Sequence, residues 1–151
     1  MLRFGVIGYG YWGPNIVRNL RSLEGCEVVG ICDQTAAARK RIQAAHHGIS
    51  VHSHADELIK SPDVDAVAVI TPLWTHYELT KAALENGKHV FVEKPFTSNT
   101  AQAEELINLA AQKNLQIMVD HTFLFTGAVR KIKKLLRKEP SENSTITIRP
   151  A

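Results

Sequence analysis

The glycine-rich stretch near the start of the chain constrains the fold more than any other feature. An apolar run from Leu2 to Ile7 leads into Gly8-x-Gly10-x-x-Gly13, and apolar residues at helical spacing follow. This order of strand, glycine turn and helix is typical of the first βαβ unit of a dinucleotide-binding fold. An ordinary strand-to-helix turn is the alternative, because glycine-rich turns are common, and the following residues must discriminate between the two.

Each glycine has its own physical role in such a turn. Gly8 permits the tight turn, Gly10 lets the backbone approach a pyrophosphate, and Gly13 lets the helix pack close to the strand. The N–H groups at the start of the helix then face the phosphates, and the helix dipole adds to the attraction. The predicted cofactor-binding residues of this stretch are Gly8, Tyr9, Gly10, Tyr11, Trp12 and Gly13.

An acidic residue follows the next predicted strand. This strand runs from Cys26 to Cys32, and Asp33 stands at its end. A carboxylate there accepts hydrogen bonds from the adenosine ribose and repels a 2′-phosphate, which favours NAD over NADP. An aspartate that only caps the next helix is the alternative. Arg39 and Arg41 lie nearby and complicate the choice of cofactor.

Size and composition are those of one globular domain. The 151 residues are 44% hydrophobic and 22% charged, and no apolar run approaches the ~20 residues of a membrane span. Met1 to Arg3 lead directly into the first strand, so we expect no signal peptide. Cys26 and Cys32 both look buried, so we expect neither a disulfide nor a metal site. Together these features predict a cytoplasmic protein without membrane association.

Strands and helices alternate along the rest of the chain. This alternation predicts an α/β fold with a doubly wound parallel sheet between two layers of helices, the three-layer Rossmann fold. The domain is predicted over residues 1–138, with a polar tail over 139–151 that contains a possible strand at 145–149. Further strands are expected at 49–53, 64–70, 89–92 and 115–119, and helices at 35–47, 56–61, 75–86, 99–113 and 127–138.

Ligands of doubly wound sheets bind beyond the carboxyl ends of the strands. Turn-forming residues are common there, which accounts for Thr71-Pro72 and Pro95 without any function. Lys94 is different, because a lysine at this edge can hydrogen-bond a substrate hydroxyl and, if partly desolvated, relay a proton. His76 and His121 are candidate ligands or bases, although an isolated histidine is more often structural.

The net charge is +3, and basic residues crowd the segment 130–138. A nucleic-acid patch is one interpretation. Apolar residues alternate with the basic ones at helical spacing, which favours the solvated face of an amphipathic helix. We therefore predict no nucleic-acid partner.

Three stretches resemble one family of enzymes. They are GVIGYGYWGPN at 5–15, Thr71-Pro72 with Thr75-His76, and GKHVFVEKP at 87–95. All three are similar to the Gfo/Idh/MocA oxidoreductases, which include glucose-fructose oxidoreductase and inositol dehydrogenase. The third stretch is close to a family signature, and the resemblance extends from Met1 to about Lys138.

The resemblance implies an NAD(P)-binding domain and hydride exchange between the nicotinamide and a carbon of a sugar, nucleotide sugar or cyclic polyol. It implies a role in proton transfer for Lys94, which would lie near the nicotinamide together with Glu93. Thr71 and Pro72 would pass along the cofactor, His76 would lie near its ribose, and the Lys94-Pro95 bond would be cis. The segment 121–125 is similar to nucleotide-sugar members, and this makes His121 a weaker substrate candidate.

Family members are longer and carry a second, α+β domain that closes the active site and supplies most substrate contacts. That domain has no counterpart in this sequence, so we interpret the chain as a truncated or stand-alone half. The alternative function is a catalytically incomplete NAD(H)-binding module. The expected partner is a small-molecule substrate, and a homo-oligomer is conceivable through exposed apolar surface.

Overall fold

The computed structural model describes residues Met1–Arg137 and divides the chain into two compact units. The first unit, Met1–Asp120, holds a six-stranded sheet in the order β3-β2-β1-β4-β5-β6, and every pair of neighbouring strands is parallel. The strands are β1 (Leu2–Ile7), β2 (Cys26–Cys32), β3 (Ser50–His52), β4 (Ala66–Val69), β5 (His89–Val92) and β6 (Ile117–Val119).

The helices of this unit connect successive strands. They are α1 (Gly13–Ser22), α2 (Ala36–Ala45), α3 (Ala55–Ile59), α4 (His76–Glu85) and α5 (Thr100–Gln112), and a 3-10 turn at Leu73–Thr75 precedes α4. The strand order reverses between β1 and β4, because the chain first builds outward to β3 and then returns to the other side of β1. The predicted doubly wound Rossmann fold is therefore confirmed.

Two apolar clusters fill the two faces of the sheet. One joins α1 and α2 to the sheet through residues such as Val17 and Ile42, and the other joins α3, α4 and α5 through residues such as Leu84 and Leu106. Strand β4 serves both clusters, since its alanines face the first and its valines the second. All four of its residues are buried, as expected of a central parallel strand covered on both faces.

The predicted elements are confirmed in type, with small shifts at their ends. Strand β4 is shorter than the predicted 64–70, although the N–H groups of Asp65 and Ile70 still donate to carbonyls of β1 at 2.9 and 2.8 Å. Pro72 precedes a 3-10 turn, so α4 begins at His76.

The two cysteines differ in burial. Cys32 is buried as expected, and burial raises the pKa of its thiol to about 11. Cys26, expected to be buried, is only half-buried.

The second unit begins at His121 and is described by itself. Its described part contains a 3-10 turn at Thr122–Phe125, which the sequence did not predict, and α6 (Gly127–Arg137). Lys138, the polar tail and the candidate strand at 145–149 lie outside the described residues. No helix within Met1–Arg137 has the length and apolar character needed to cross a membrane.

Polar contacts fasten the edge of the sheet where the strands begin. The carboxylate of Asp65 accepts bonds from the Arg3 backbone N–H at 2.9 Å, from Arg3 Nε at 3.1 Å and from Arg3 Nη2 at 2.8 Å. Lys88 is buried, and its ammonium group donates to the carbonyl oxygens of Ser61 and Val64 at 2.7 Å each. These contacts join β1 to the loops that lead into β4 and β5.

The first test concerns the Arg3–Asp65 contact. The bonds from Arg3 lower the pKa of the Asp65 carboxyl from 3.8 to about 2. Because the folded-state pKa is the lower one, the carboxylate stabilises the fold above about pH 4, and this contribution disappears between about pH 4 and pH 2. We expect Asp65→Asn to lower the urea midpoint at neutral pH, and the difference from the wild type to shrink across that window.

Asp63→Asn is the matched control for this substitution. The Asp63 side chain is 81% exposed and meets Arg3 Nη1 at 3.3 Å, so solvent screens the pair and its loss has little effect on stability. Equal losses of stability in the two variants, or a difference for Asp65→Asn that persists at pH 2, would contradict the assignment.

Candidate cofactor-binding and active site

The turn after β1 is built around two close approaches of the backbone. Gly8 has a φ of +101°, and a Cβ added there would lie 2.4 Å from the carbonyl oxygen of Ile70. A Cβ at Gly13 would lie 2.7 Å from the carbonyl oxygen of Gly8. Neither position accepts a side chain without backbone movement, so both glycines are required by the protein itself.

Gly10 is different, because no protein atom requires it to be glycine. A Cβ added there would meet nothing within 4 Å. Gly10 lies three residues before Gly13, the first residue of α1, where Trp12 provides no side-chain cap and the first turn contains no acidic residue. Among the described residues, the N–H groups at this helix end therefore have no side-chain oxygen as partner. An open approach beside an uncapped helix N-terminus fits a pyrophosphate, which needs close backbone contact and positive potential.

Asp33 lies at the end of β2, as predicted, and its carboxylate binds the chain at both oxygens. Oδ2 accepts a bond from the Tyr9 N–H at 2.9 Å, and Oδ1 accepts bonds from the Thr35 N–H and hydroxyl at 2.8 Å each. Burial by itself raises the pKa of the carboxyl, but these bonds and the charge of Arg41 outweigh it and lower the pKa below the usual value. Asp33 thus carries a negative charge beside the glycine turn. The Thr35 side chain caps α2, since its hydroxyl accepts from Ala38 N at 3.3 Å.

Tyr9 contributes only its backbone to this edge. Its side chain is 4% exposed and turns into the core, where its hydroxyl group lies 2.8 Å from Nε2 of His46. No pattern in the sequence indicated this contact, since a tyrosine inside a glycine motif gives no signal of its partner. Arg41 lies over the Tyr9 ring at 5.9 Å and donates to the Tyr9 carbonyl at 3.0 Å.

A cavity of about 300 Å³ opens where the turns after β1, β4 and β5 meet. Tyr11 and Trp12 lie at its rim, 85% and 48% exposed, with their rings edge to face at 5.2 Å. Ile70 and Leu73 also line it, although no pattern in the sequence singled them out. The lining residues are Gly10, Tyr11, Trp12, Ile70, Thr71, Pro72, Leu73, His76, Glu93, Lys94 and Pro95.

Lys94 and Glu93 reach this cavity from the end of β5. The Glu93 N–H donates to the carbonyl of Val69 at 3.0 Å, which extends the pairing of β4 with β5, and its side chain is 8% exposed. The Lys94 side chain is exposed, and the Lys94-Pro95 peptide bond is cis. An amine at the cavity can donate to, or accept a proton from, a hydroxyl or carbonyl group of a bound molecule.

His76 also lines the cavity, but its ring is 1% exposed and both nitrogens bind the chain. Nδ1 lies 2.8 Å from the carbonyl oxygen of Pro95, and Nε2 lies 2.7 Å from that of Thr71. Both ring nitrogens thus already lie within hydrogen-bonding distance of backbone carbonyl oxygens. The predicted contact of His76 with a ribose stays a prediction.

His121 belongs to the second unit, where its carbonyl oxygen accepts a bond from the Leu124 N–H at 2.9 Å. Its predicted contact with substrate stays a prediction. The helix α6 of that unit presents exposed basic residues, and Ile132, Leu135 and Leu136 on the same helix are also exposed.

Comparison with known proteins gives a consistent result. Residues 2–121 match the Gfo/Idh/MocA model, described as an oxidoreductase family with an NAD-binding Rossmann fold. The chain is 31% identical to the UDP-N-acetylglucosamine 3-dehydrogenase of Acidithiobacillus ferrooxidans, over 88% of this chain and 41% of that protein. It is 28% identical to the NADP(+) scyllo-inositol 2-dehydrogenase of Bacillus subtilis, over 91% of this chain and 42% of that protein.

A solved structure is similar over the same part of the chain. A 3-ketoreductase from Actinomadura kijaniata, in complex with TDP-benzene and NADP, superposes with a TM-score of 0.81 at 32% identity, over 89% of this chain and 42% of that one. The chain thus spans about two fifths of the length of the relatives that it matches.

The geometry of the turn predicts different effects on stability for alanine at Gly8 and alanine at Gly10. Gly8→Ala forces a side chain into the left-handed region and against a carbonyl oxygen, so we expect it to lower the free energy of unfolding by on the order of 1–3 kcal/mol. Gly10→Ala meets open space and should unfold at nearly the wild-type temperature. Thermal unfolding of the two variants followed by circular dichroism checks this, and equal loss in both would show that the turn differs from the one described.

Proposed function

The chain belongs to the Gfo/Idh/MocA family of oxidoreductases, and from that premise we propose that it is a nucleotide-binding domain that takes up NAD(H) for a dehydrogenase. The proposed reaction exchanges a hydride between the nicotinamide and a carbinol carbon of a sugar, nucleotide sugar or cyclic polyol. The observation that carries the proposal is the open backbone at Gly10 beside the uncapped start of α1. Relatives that act on UDP-N-acetylglucosamine and on scyllo-inositol support the substrate class.

The residues of the chain have separate roles in this proposal. The backbone N–H groups from Gly10 to Gly13 hold the pyrophosphate, since those of Gly8 and Tyr9 already donate to Cys32 and Asp33, and Asp33 lies beside the adenosine ribose. Tyr11, Trp12, Thr71, Pro72 and Glu93 line the path toward the nicotinamide, which supplies the acceptor or donor of the hydride. The Lys94 amine accepts the proton of the substrate hydroxyl as the carbon is oxidised, and returns it in the reverse direction.

We propose NAD rather than NADP as the preferred cofactor. The charged carboxylate of Asp33 disfavours a 2′-phosphate by repulsion. The two nearby arginines already donate hydrogen bonds to the backbone. Arg39 Nη1 donates to the carbonyls of Asp33 and Gln34, and Arg41 donates to that of Tyr9. The relative from Bacillus subtilis and the solved ketoreductase carry NADP in their names, so this preference needs a direct test.

A second candidate function follows from the length of the match. The chain spans about two fifths of the length of its relatives. A domain that binds NAD(H) without turning over any substrate fits this coverage. Cofactor binding with no reduction of NAD⁺ by sugars, nucleotide sugars or polyols would favour it over a complete enzyme. The cytoplasmic location is also a proposal.

Calorimetric titration of Gly10→Ala with NADH tests the binding site itself. Because the added methyl group occupies the space that a pyrophosphate needs, we expect a loss of affinity of at least about tenfold, equivalent to about 1.4 kcal/mol. The matched control is Gly127→Ala, at a glycine of the second unit whose added Cβ also meets nothing within 4 Å. Wild-type affinity in Gly10→Ala, with folding intact, would remove the main support for the proposal.

Titration with NADH and NADPH tests the role of Asp33. Asp33→Asn removes the negative charge and keeps an oxygen that can accept from Thr35, so we expect the ratio of NADH to NADPH affinity to fall by roughly tenfold. Gln34→Ala, at the exposed neighbouring position, is the control. An unchanged ratio in Asp33→Asn would mean that this carboxylate only closes the turn around Tyr9 and Thr35.

A further inference from the structure

The placement of His76 is unusual for a residue that the sequence marks only as a possible ligand. It is the first residue of α4, and its ring is 1% exposed. Both nitrogens face backbone carbonyl oxygens, at 2.8 Å for Nδ1 to Pro95 and 2.7 Å for Nε2 to Thr71. At these distances, the ring can form hydrogen bonds with the two carbonyl oxygens only by donating from its nitrogens.

Carbonyl oxygens can only accept, so each of these contacts is a hydrogen bond only when the ring nitrogen donates. A neutral imidazole carries one N–H, whereas the doubly protonated ring donates at both nitrogens. In either form the ring lies between the two carbonyl oxygens and donates to at least one of them. Glu93 and Lys94 are the charged residues that line the same cavity.

The two acceptors belong to different turns of the site. Thr71 follows β4, and its hydroxyl accepts a bond from the Thr75 hydroxyl at 2.7 Å, which makes that turn rigid. Pro95 follows Lys94 directly at the end of β5. The imidazole therefore forms a bridge between a turn that is fixed internally and the residue next to the exposed lysine.

We propose that His76 is a positioning residue: its ring lies between the carbonyl oxygens of Thr71 and Pro95, links the two turns, and thereby holds Lys94 at the cavity. The proposal rests on the function proposed above, in which a cofactor lies beside Lys94. It assigns His76 no contact with cofactor or substrate, and it distinguishes this histidine from a ligand of the ribose.

Covalent labelling of lysines provides the test. The folded chain is treated with an amine-acylating reagent with and without NADH, and labelling of each lysine is followed by mass spectrometry. Lys60, with 65% of its side chain exposed on α3, is the internal reference. In the wild type we expect NADH to slow labelling of Lys94 and leave Lys60 unchanged.

The variant is His76→Asn, whose shorter side chain reaches at most one of the two carbonyls. Labelling is carried out at saturating NADH, so that wild type and variant are compared in the bound state, and we expect the variant to lose most of the protection of Lys94. The control is Thr80→Val, one turn further along α4, where the buried hydroxyl has no hydrogen-bond partner among the described residues. Thr80→Val should retain both binding and protection.

The outcomes separate the two proposals. If NADH binds the wild type but does not protect Lys94, the function proposed for Lys94 is wrong, and the role of His76 falls with it. If the wild type is protected and His76→Asn is protected equally, only the positioning role is wrong. If His76→Asn does not fold, His76→Gln takes its place in the labelling experiment, and protection of Lys94 equal to that of the wild type would overturn the positioning role.

Discussion

The contact of Gly8 with the carbonyl of Ile70 is the constraint on which the rest of the site depends. It places the first turn of the chain directly against the end of β4, with no side chain between them. The Gly8 N–H also donates to the carbonyl of Cys32 at 2.8 Å, so the same residue joins the end of β2. Three strand ends thus meet at one glycine, and the uncapped start of α1 follows within the same turn.

The turn combines positive potential at the start of α1 with a negative charge at Asp33. The start of α1 is electropositive and has no carboxylate in its first turn. The carboxylate of Asp33, at the end of β2, is bound by the N–H groups of Tyr9 and Thr35, which keeps it ionised and fixed. The positive potential at the start of α1 suits anionic phosphates, and the carboxylate of Asp33 suits the hydroxyl groups of a ribose.

Much of the architecture follows from sequence patterns because those patterns report backbone requirements. The glycine spacing predicted the turn, and the continuous apolar run of β4 predicted a strand buried on both faces. The patterns could not predict that Tyr9 turns inward to His46 or that His76 bridges two turns, because these contacts join residues far apart in the chain. Leu73 was missed for a local reason, since its place at the cavity depends on the 3-10 turn after Pro72, which the sequence did not predict.

The opposite edge of the sheet has a different character. There Arg3, Asp65 and Lys88 tie β1 to the loops before β4 and β5, at the amino ends of the strands, remote from the cavity at their carboxyl ends. The polar contacts described for Arg3, Asp65 and Lys88 are made with residues that do not line the cavity. Substitutions at the carboxyl ends of the strands that adapt the site to a new ligand leave these contacts intact. The ligand specificity of the domain can therefore change without further substitutions that restore the stability of this edge.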